Sequence, residues 1–392
     1  MWLCAAWLIA FPVRAEDEEK ATPSAITEIE GYARLARRAV DENKWPLADH
    51  FMTLLGSVDA PLAAKKAAFR SLGEDYEKRE LVAKAITVYE KVNELYPNEP
   101  DTPKLIFRLG MLYRESGVPK LAIARFYTVL NSTLKFGTND LDAYKAVAQQ
   151  AQWEIAETYF KSGDVQKAQN YYALLSRLDL PVEEMVRVRF KIIHCLLLTN
   201  DLPGAIAAAQ TFLTSYPDDP TAAECRYMLA NAFRALGRHG DAFETVLALL
   251  NQENGRKDTT PEKWTYWKKK AGNEFANFYY QQGDTLSALT LFQAIARLGN
   301  DPEWQWPVIY QLGLCFERLR HTPRAAEAYQ YIIAEAKKPG RESDKLTETL
   351  RTLLEMANWR ASQLTWSGAA TARLERLLTN PLTPLATEPL KP

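Results

Sequence analysis

From Phe69 to Pro97, apolar and small residues fall in a pattern that returns along the chain. Counted from Lys66 as position one, Phe69 is fourth, Leu72 seventh, Gly73 eighth, Tyr76 eleventh, Ala85 twentieth, Tyr89 twenty-fourth and Pro97 thirty-second. Positions four, seven or eight, and eleven share one face of a helix, so Phe69, Leu72 and Tyr76 form an apolar stripe. The spacing predicts a helix-turn-helix hairpin. Gly73 and Ala85 leave no side-chain bulk where the two helices would cross, so the backbones can approach closely. Neither helix can bury its stripe alone, so the unit needs neighbours.

Units on this ruler start near Ile29, Lys66, Pro103, Gln149, Val186, Ala223, Lys269 and Trp306, in steps of 37 residues with two steps of 46. Position twenty reads Ala85, Ala122, Ala168, Ala205, Ala242, Ala288 and Ala325. Gly117, Gly163, Gly237 and Gly283 occupy position fifteen, where the first helix must end in a left-handed residue, and Asn200 takes that place in the fifth unit. Thr102-Pro103, Thr260-Pro261-Glu262 and Asp301-Pro302-Glu303 read as capping side chains ahead of a proline at the first helical position, and Thr221 with Glu224 as a capping box. β-patterning is absent, so the expected class is all-α.

The run Phe69, Leu72-Gly73, Tyr76, Ala85, Tyr89 and Pro97 resembles the signature of the tetratricopeptide repeat. That resemblance implies a right-handed superhelical solenoid of about eight to nine hairpins over residues 24–378. The fifth unit departs from the pattern: Ile193 replaces the small residue at position eight and Ala209 the aromatic at twenty-four, as if large and small had exchanged places. The unit around Tyr32 reads as a degraded cap, and Leu346 to Leu378 as a worn ninth hairpin in which Trp359 and Trp366 cover the end of the stack. The longer steps predict extra loop near Phe136 to Asp142 and Gln252 to Thr260, marking sub-modules 24–142, 143–260 and 261–378. A proline-rich tail occupies 379–392.

Composition and charge narrow the function classes. The 392 residues are 47% hydrophobic and 25% charged with a formal net charge of −1, so no global field would draw nucleic acid or an anionic membrane. Met1 to Val13 carry no charged side chain and Val13-Arg14-Ala15 offers small residues at a cleavage site, so residues 1–15 read as a secretory signal peptide and 16–23 as a linker. A membrane anchor is the competing reading, but thirteen apolar residues are too few to span, and tight membrane insertion of the mature chain is not expected. Cys195, Cys225 and Cys315 are widely spaced and give neither disulfide framework nor metal spacing. Buried thiols are expected, with a Cys195–Cys225 bridge left open.

No phosphate loop, dinucleotide fingerprint, metalloprotease motif or nucleophile elbow occurs, and His50, His194, His239 and His321 are scattered over four units. Ser132-Thr133-Leu134-Lys135 matches a nucleophile pattern without its companion motifs. The expectation is no catalytic residue, cofactor or metal.

Surface remains. In tetratricopeptide arrays the concave wall is lined by first helices at positions two, five, nine, twelve and thirteen, and by that resemblance the candidate groove residues are Phe107, Trp153, Phe190, Tyr227 and Tyr310 at position five. Arg114, Phe160, Arg234 and Tyr280 at position twelve and Asn231 and Asn277 at nine would flank them. Two placements are open to the rings: facing the groove as anchors for an extended peptide or a partner helix, or leaning inward to complete the core. The Lys268-Lys269-Lys270 run reads as a solvated face. Tyr216-Pro217-Asp218-Asp219-Pro220, followed by Tyr227, Leu229-Ala230 and Phe233, resembles the repeat subtype common in exported bacterial envelope proteins. That implies a periplasmic or secreted scaffold binding a segment of another protein. The alternative is an accessory helical module that positions a cell-wall hydrolase or other envelope enzyme.

Overall fold

The computed structural model describes residues 23–97, 99, 101–133, 141–252, 261–339 and 346–379. The expected signal peptide, nearly all of the linker and of the proline-rich tail, Thr260 and Lys135 lie outside the described residues. Seventeen helices and no strand are found among those described.

The chain divides into two compact units at Leu180. The first holds α1 (Pro23–Asp41), α2 (Trp45–Ser57), α3 (Leu62–Lys78), α4 (Val82–Leu95), α5 (Thr102–Glu115), α6 (Pro119–Thr133), α7 (Leu141–Lys161) and α8 (Val165–Leu175). The second holds α9 (Val182–Leu198), α10 (Leu202–Ser215), α11 (Ala222–Ala235), α12 (His239–Asn251), α13 (Pro261–Gln282), α14 (Thr285–Ala296), α15 (Pro302–Arg318), α16 (Thr322–Ala336) and α17 (Glu348–Thr379). Odd and even helices pair as hairpins through α16, and within each unit consecutive hairpins stack in chain order.

The repeat positions explain the stacking. Every position-twenty alanine from Ala85 to Ala325 is buried, as is Ala48 in the first hairpin. A Cβ placed on Gly73 would enter the ring of Tyr89, and on Gly110 or Gly313 it would lie 2.5 Å from Phe126 or Tyr329. Position eight is accordingly glycine or alanine wherever position twenty-four carries a ring. In the fifth hairpin Ile193 and Ala209 are both buried in one core, so the bulk has moved from α10 to α9. Cys195, Cys225 and Cys315 are buried free thiols, and no Cys195–Cys225 bridge forms. Burial pushes the Cys225 and Cys315 thiols up to about 12.

The turns are more uniform than their composition. Eight described residues have positive φ: Gly117, Gly163, Gly237 and Gly283, together with Asn43, Glu80, Asn200 and Arg320. All stand at position fifteen. In seven hairpins the next residue's N–H reaches back to the position-eleven carbonyl, as from Leu81 to Tyr76 (2.9 Å) and His321 to Phe316 (2.8 Å), a closure that satisfies a carbonyl the helix end would otherwise leave open. That same position-sixteen residue caps the second helix where it is aspartate: Asp164, Asp201 and Asp284 accept from the N–H of Lys167, Gly204 and Ser287.

Several local expectations are corrected. Thr102 lies inside α5 and its hydroxyl donates to the Tyr96 carbonyl at 2.7 Å, so it is not the cap. Asp301 and Thr221 stand at the N-cap positions of α15 and α11, but neither side chain caps; Thr221 Oγ1 donates instead to Asp219 Oδ1 at 2.6 Å. Residues 346–378 are not a hairpin: α17 is one 32-residue helix, and Trp359 and Trp366 are exposed at 59% and 69% rather than sealing the stack. Nor are the longer steps loop throughout. Helices α7 and α13 begin eight residues ahead of their repeats, so Leu141 and Asp142 are helical and part of each insertion lengthens a first helix.

Candidate protein-binding surface

In the first unit, Phe107 on α5 is half-buried and tilts against Phe126 of its own hairpin, ring centroids 5.6 Å apart. Trp153 on α7 does the same with Tyr172 at 5.7 Å, and Phe160 is half-buried one residue before the helix ends. Arg114 forms an ion pair with Glu154, tying α5 to α7. In the second unit Phe190 sits between Phe212 (5.9 Å) and His194 (4.8 Å), whose imidazole is held below its usual range by burial and then by Lys191. Tyr310 is buried against Tyr329 at 5.4 Å. These four rings each rest on an aromatic of the second helix of their own hairpin, between the two placements the sequence left open.

Tyr227 differs. Its position-twenty-four partner is Val246, too small to hold the ring, and it turns across the hairpin boundary to the next first helix. Its hydroxyl donates to Glu274 Oε2 on α13 at 2.6 Å, and burial together with that bond raises its pKa. Arg234 donates to the other oxygen of Glu274 at 2.7 Å and to Asn231 Oδ1 at 2.5 Å, while Asn231 Nδ2 donates to the Tyr227 carbonyl at 3.0 Å. The guanidinium lies 4.7 Å from the Phe275 ring and 5.5 Å from that of Phe278. One carboxylate thus gathers Tyr227, Asn231 and Arg234 into a single cluster. Asn277 bonds back to the Asn273 carbonyl at 2.8 Å, and Tyr280 lies under the Arg318 guanidinium at 5.1 Å, each apart from that cluster.

Beside Tyr227 stand two rings that the repeat ruler passes over. Trp267 is 5.2 Å from Tyr227, Tyr266 is 5.1 Å from Trp267 and 56% exposed, and both belong to the stretch by which α13 precedes its repeat. Lys270 holds its ammonium 4.8 Å from the Trp267 ring, 5.0 Å from Tyr227 and 5.8 Å from Tyr266, a cation over three π faces. Trp267, Lys270 and Glu274 at i, i+3 and i+7 are the helical spacing that could have found this face. The lysine run is not a simple solvated face: Lys268 is buried and donates to the Gln252 carbonyl, and Lys269 covers Trp304 at 4.7 Å. Burial lowers the Lys268 pKa.

A second regularity also went unread. At three junctions position twelve of one repeat pairs with position six of the next: Glu77 with Arg108 and Arg114 with Glu154 in the first unit, and Arg234 with Glu274 (2.7 Å) in the second, where Glu317 of the last hairpin pairs in the same way with Arg360 on α17 (2.9 Å). The sign of the pair varies but the geometry does not, so these side chains join consecutive first helices. Among the described residues no group of three or more His, Cys, Asp or Glu is placed to hold a metal ion, and no helix is long and apolar enough to cross a membrane.

Helical hairpins of this period, with a small residue at each crossing and a left-handed joint at position fifteen, make the described chain a tetratricopeptide-repeat protein. Residues 145–263 match the YfiO family, described as an outer membrane lipoprotein, which is an envelope type of this repeat. No curated protein matches the chain. Among solved structures it is similar to the C-terminal part of a TPR repeat-containing protein from Cytophaga hutchinsonii, at 16% identity over 71% of this chain and 99% of that one, with a TM-score of 0.46. It is also similar to a tetratricopeptide repeat protein from Parabacteroides merdae (14% identity, 74% and 99% of the two chains, TM-score 0.36). Pseudomonas aeruginosa pilF is another (13% identity, 70% and 92%, TM-score 0.30).

Proposed function

We propose that this protein is a non-enzymatic scaffold of the bacterial cell envelope that holds a peptide or helix of a partner protein against its first helices. The observation that carries the reading is the Tyr227–Tyr266–Trp267–Lys270 face. It presents large rings held by packing and a cation resting over three of them. Rigid aromatic side chains of this kind are the usual anchors of a protein interface, because they bury much area while losing little rotamer freedom. Envelope placement is supported by the family similarity across residues 145–263. On this reading Phe190, Asn277, Tyr280 and Tyr310 act mainly in stiffening the first helices of the second unit, and Phe107, Arg114, Trp153 and Phe160 those of the first.

The test is site-specific photocrosslinking in envelope preparations. A benzophenone side chain in place of Tyr266 captures a discrete polypeptide, and one in place of Leu286, somewhat more exposed on a second helix, does not. Tyr227→Ala with Trp267→Ala abolishes that capture while helical content stays within a few percent. Equal yields at both positions, or turnover of cell-wall polymer by the purified chain, overturn the proposal.

A further inference from the structure

Helix α17 has two apolar faces, and only one is used. Leu350, Leu353, Ala357 and Ala361 pack on the preceding hairpin, with Leu364 partly buried at the end of that stripe. Beyond Leu364 every described residue but Ala372 is exposed, so the last four turns stand clear of the core. On the opposite side, Met356, Trp359, Trp366, Leu374 and Leu377 are exposed at 40%, 59%, 69%, 55% and 67%. At 100° per residue these five, with Ala370, fall within about 80° of one another. The stripe from Met356 to Leu377 runs about 32 Å. An apolar stripe that long on one helix face marks an interaction surface.

We propose that this face pairs with the same face of a second copy of the chain, the two α17 helices running antiparallel. The argument is self-complementarity. Glu355 and Arg373 lie on the same flank of the stripe, eighteen residues or five turns apart, both exposed and neither in an ion pair among the described residues. In an antiparallel pair, same-flank residues meet, so a two-fold axis near Leu364 sets Glu355 of each copy against Arg373 of the other. That register also lays each Trp359 on the small Ala370 of the partner, large against small. A parallel pair would bring Trp359 against Trp359 and Trp366 against Trp366 and leave both charges unmatched. A two-fold interface reuses one patch twice, and this patch supplies both halves of each contact.

The experiment uses the full mature chain. Light scattering at tens of micromolar gives twice the chain mass, and Trp366→Asp weakens association at least ~100-fold with helical content unchanged. Because a tryptophan change could disturb the fold, the surface reversal Glu355→Arg is read in parallel. It weakens pairing ~5-fold, and adding Arg373→Glu restores it. Cysteine at Gln363, beside the axis, forms a disulfide with its counterpart. Cysteine at Thr352, on the same stripe but about 37 Å from its counterpart in this register, does not. A monomer at these concentrations overturns the proposal, as does crosslinking at Thr352, reversal without rescue, or binding to phosphatidylethanolamine and phosphatidylglycerol vesicles in place of pairing.

Discussion

The template hairpin, α3 with α4, and the fifth, α9 with α10, solve one packing problem in opposite ways. In the template, Gly73 on the first helix leaves room for the ring of Tyr89 on the second. In the fifth, Ile193 fills the first helix and Ala209 recedes on the second, and both are as buried as their counterparts. What the repeat conserves at this crossing is the summed volume of two facing positions, because interiors are packed as tightly as organic crystals and tolerate neither gap nor overlap.

The largest effect that breaks this comparison is expected from Ile193→Gly, which leaves a cavity and adds helix-interior glycine, at about 4 kcal/mol. The lowered midpoint of thermal unfolding reads it. Gly73→Ile is expected to cost about 3 kcal/mol by overpacking against Tyr89, and Tyr89→Ala in the same chain to recover part of it by recreating the fifth hairpin's arrangement. Failure of the second change to help would show that volume is not what the two positions share. A smaller effect sharpens the comparison at the first helices. Arg114 and Glu154 are joined, whereas position twelve of the fifth hairpin is Leu197, packed in an apolar core. A double-mutant cycle at Arg114 and Glu154 is expected to give about 0.5–1 kcal/mol of coupling that fades in high salt, while Leu197→Met has no salt dependence.

Smallest is a pH effect centred on His194 of the fifth hairpin, whose imidazole lies 3.8 Å from Glu224 of the sixth. Burial depresses the His194 pKa below its unfolded value of 6.5, so the unfolded chain binds the proton more readily. Stability is therefore full above about pH 6.5 and falls as pH drops through the folded value. His194→Gln should flatten that part of a chemical-denaturation profile and leave the rest unchanged.

The hairpins were legible because their determinants are local: alanine at position twenty, an aromatic or apolar residue at eleven, and a glycine or asparagine at fifteen recur in register. Asn43, Glu80 and Arg320 were missed at the same joint because left-handed geometry is imposed there by the closing hydrogen bond and not by residue type. The ion pairs escaped because Glu77 and Arg108 carry the reverse of the signs at Arg114 and Glu154, so no residue type repeats although the contact does. Tyr266 and Trp267 escaped because they precede position one. Helix α17 was read as a hairpin because two apolar stripes on one long helix look, in sequence, like two short helices each with one.

The joint at position fifteen has a consequence of its own. Since one left-handed backbone position closes each of the eight described hairpins whether glycine, asparagine, glutamate or arginine sits there, that turn makes little demand on residue type. The two helices of a hairpin can thus keep one mutual geometry while the residue at their bend varies from copy to copy.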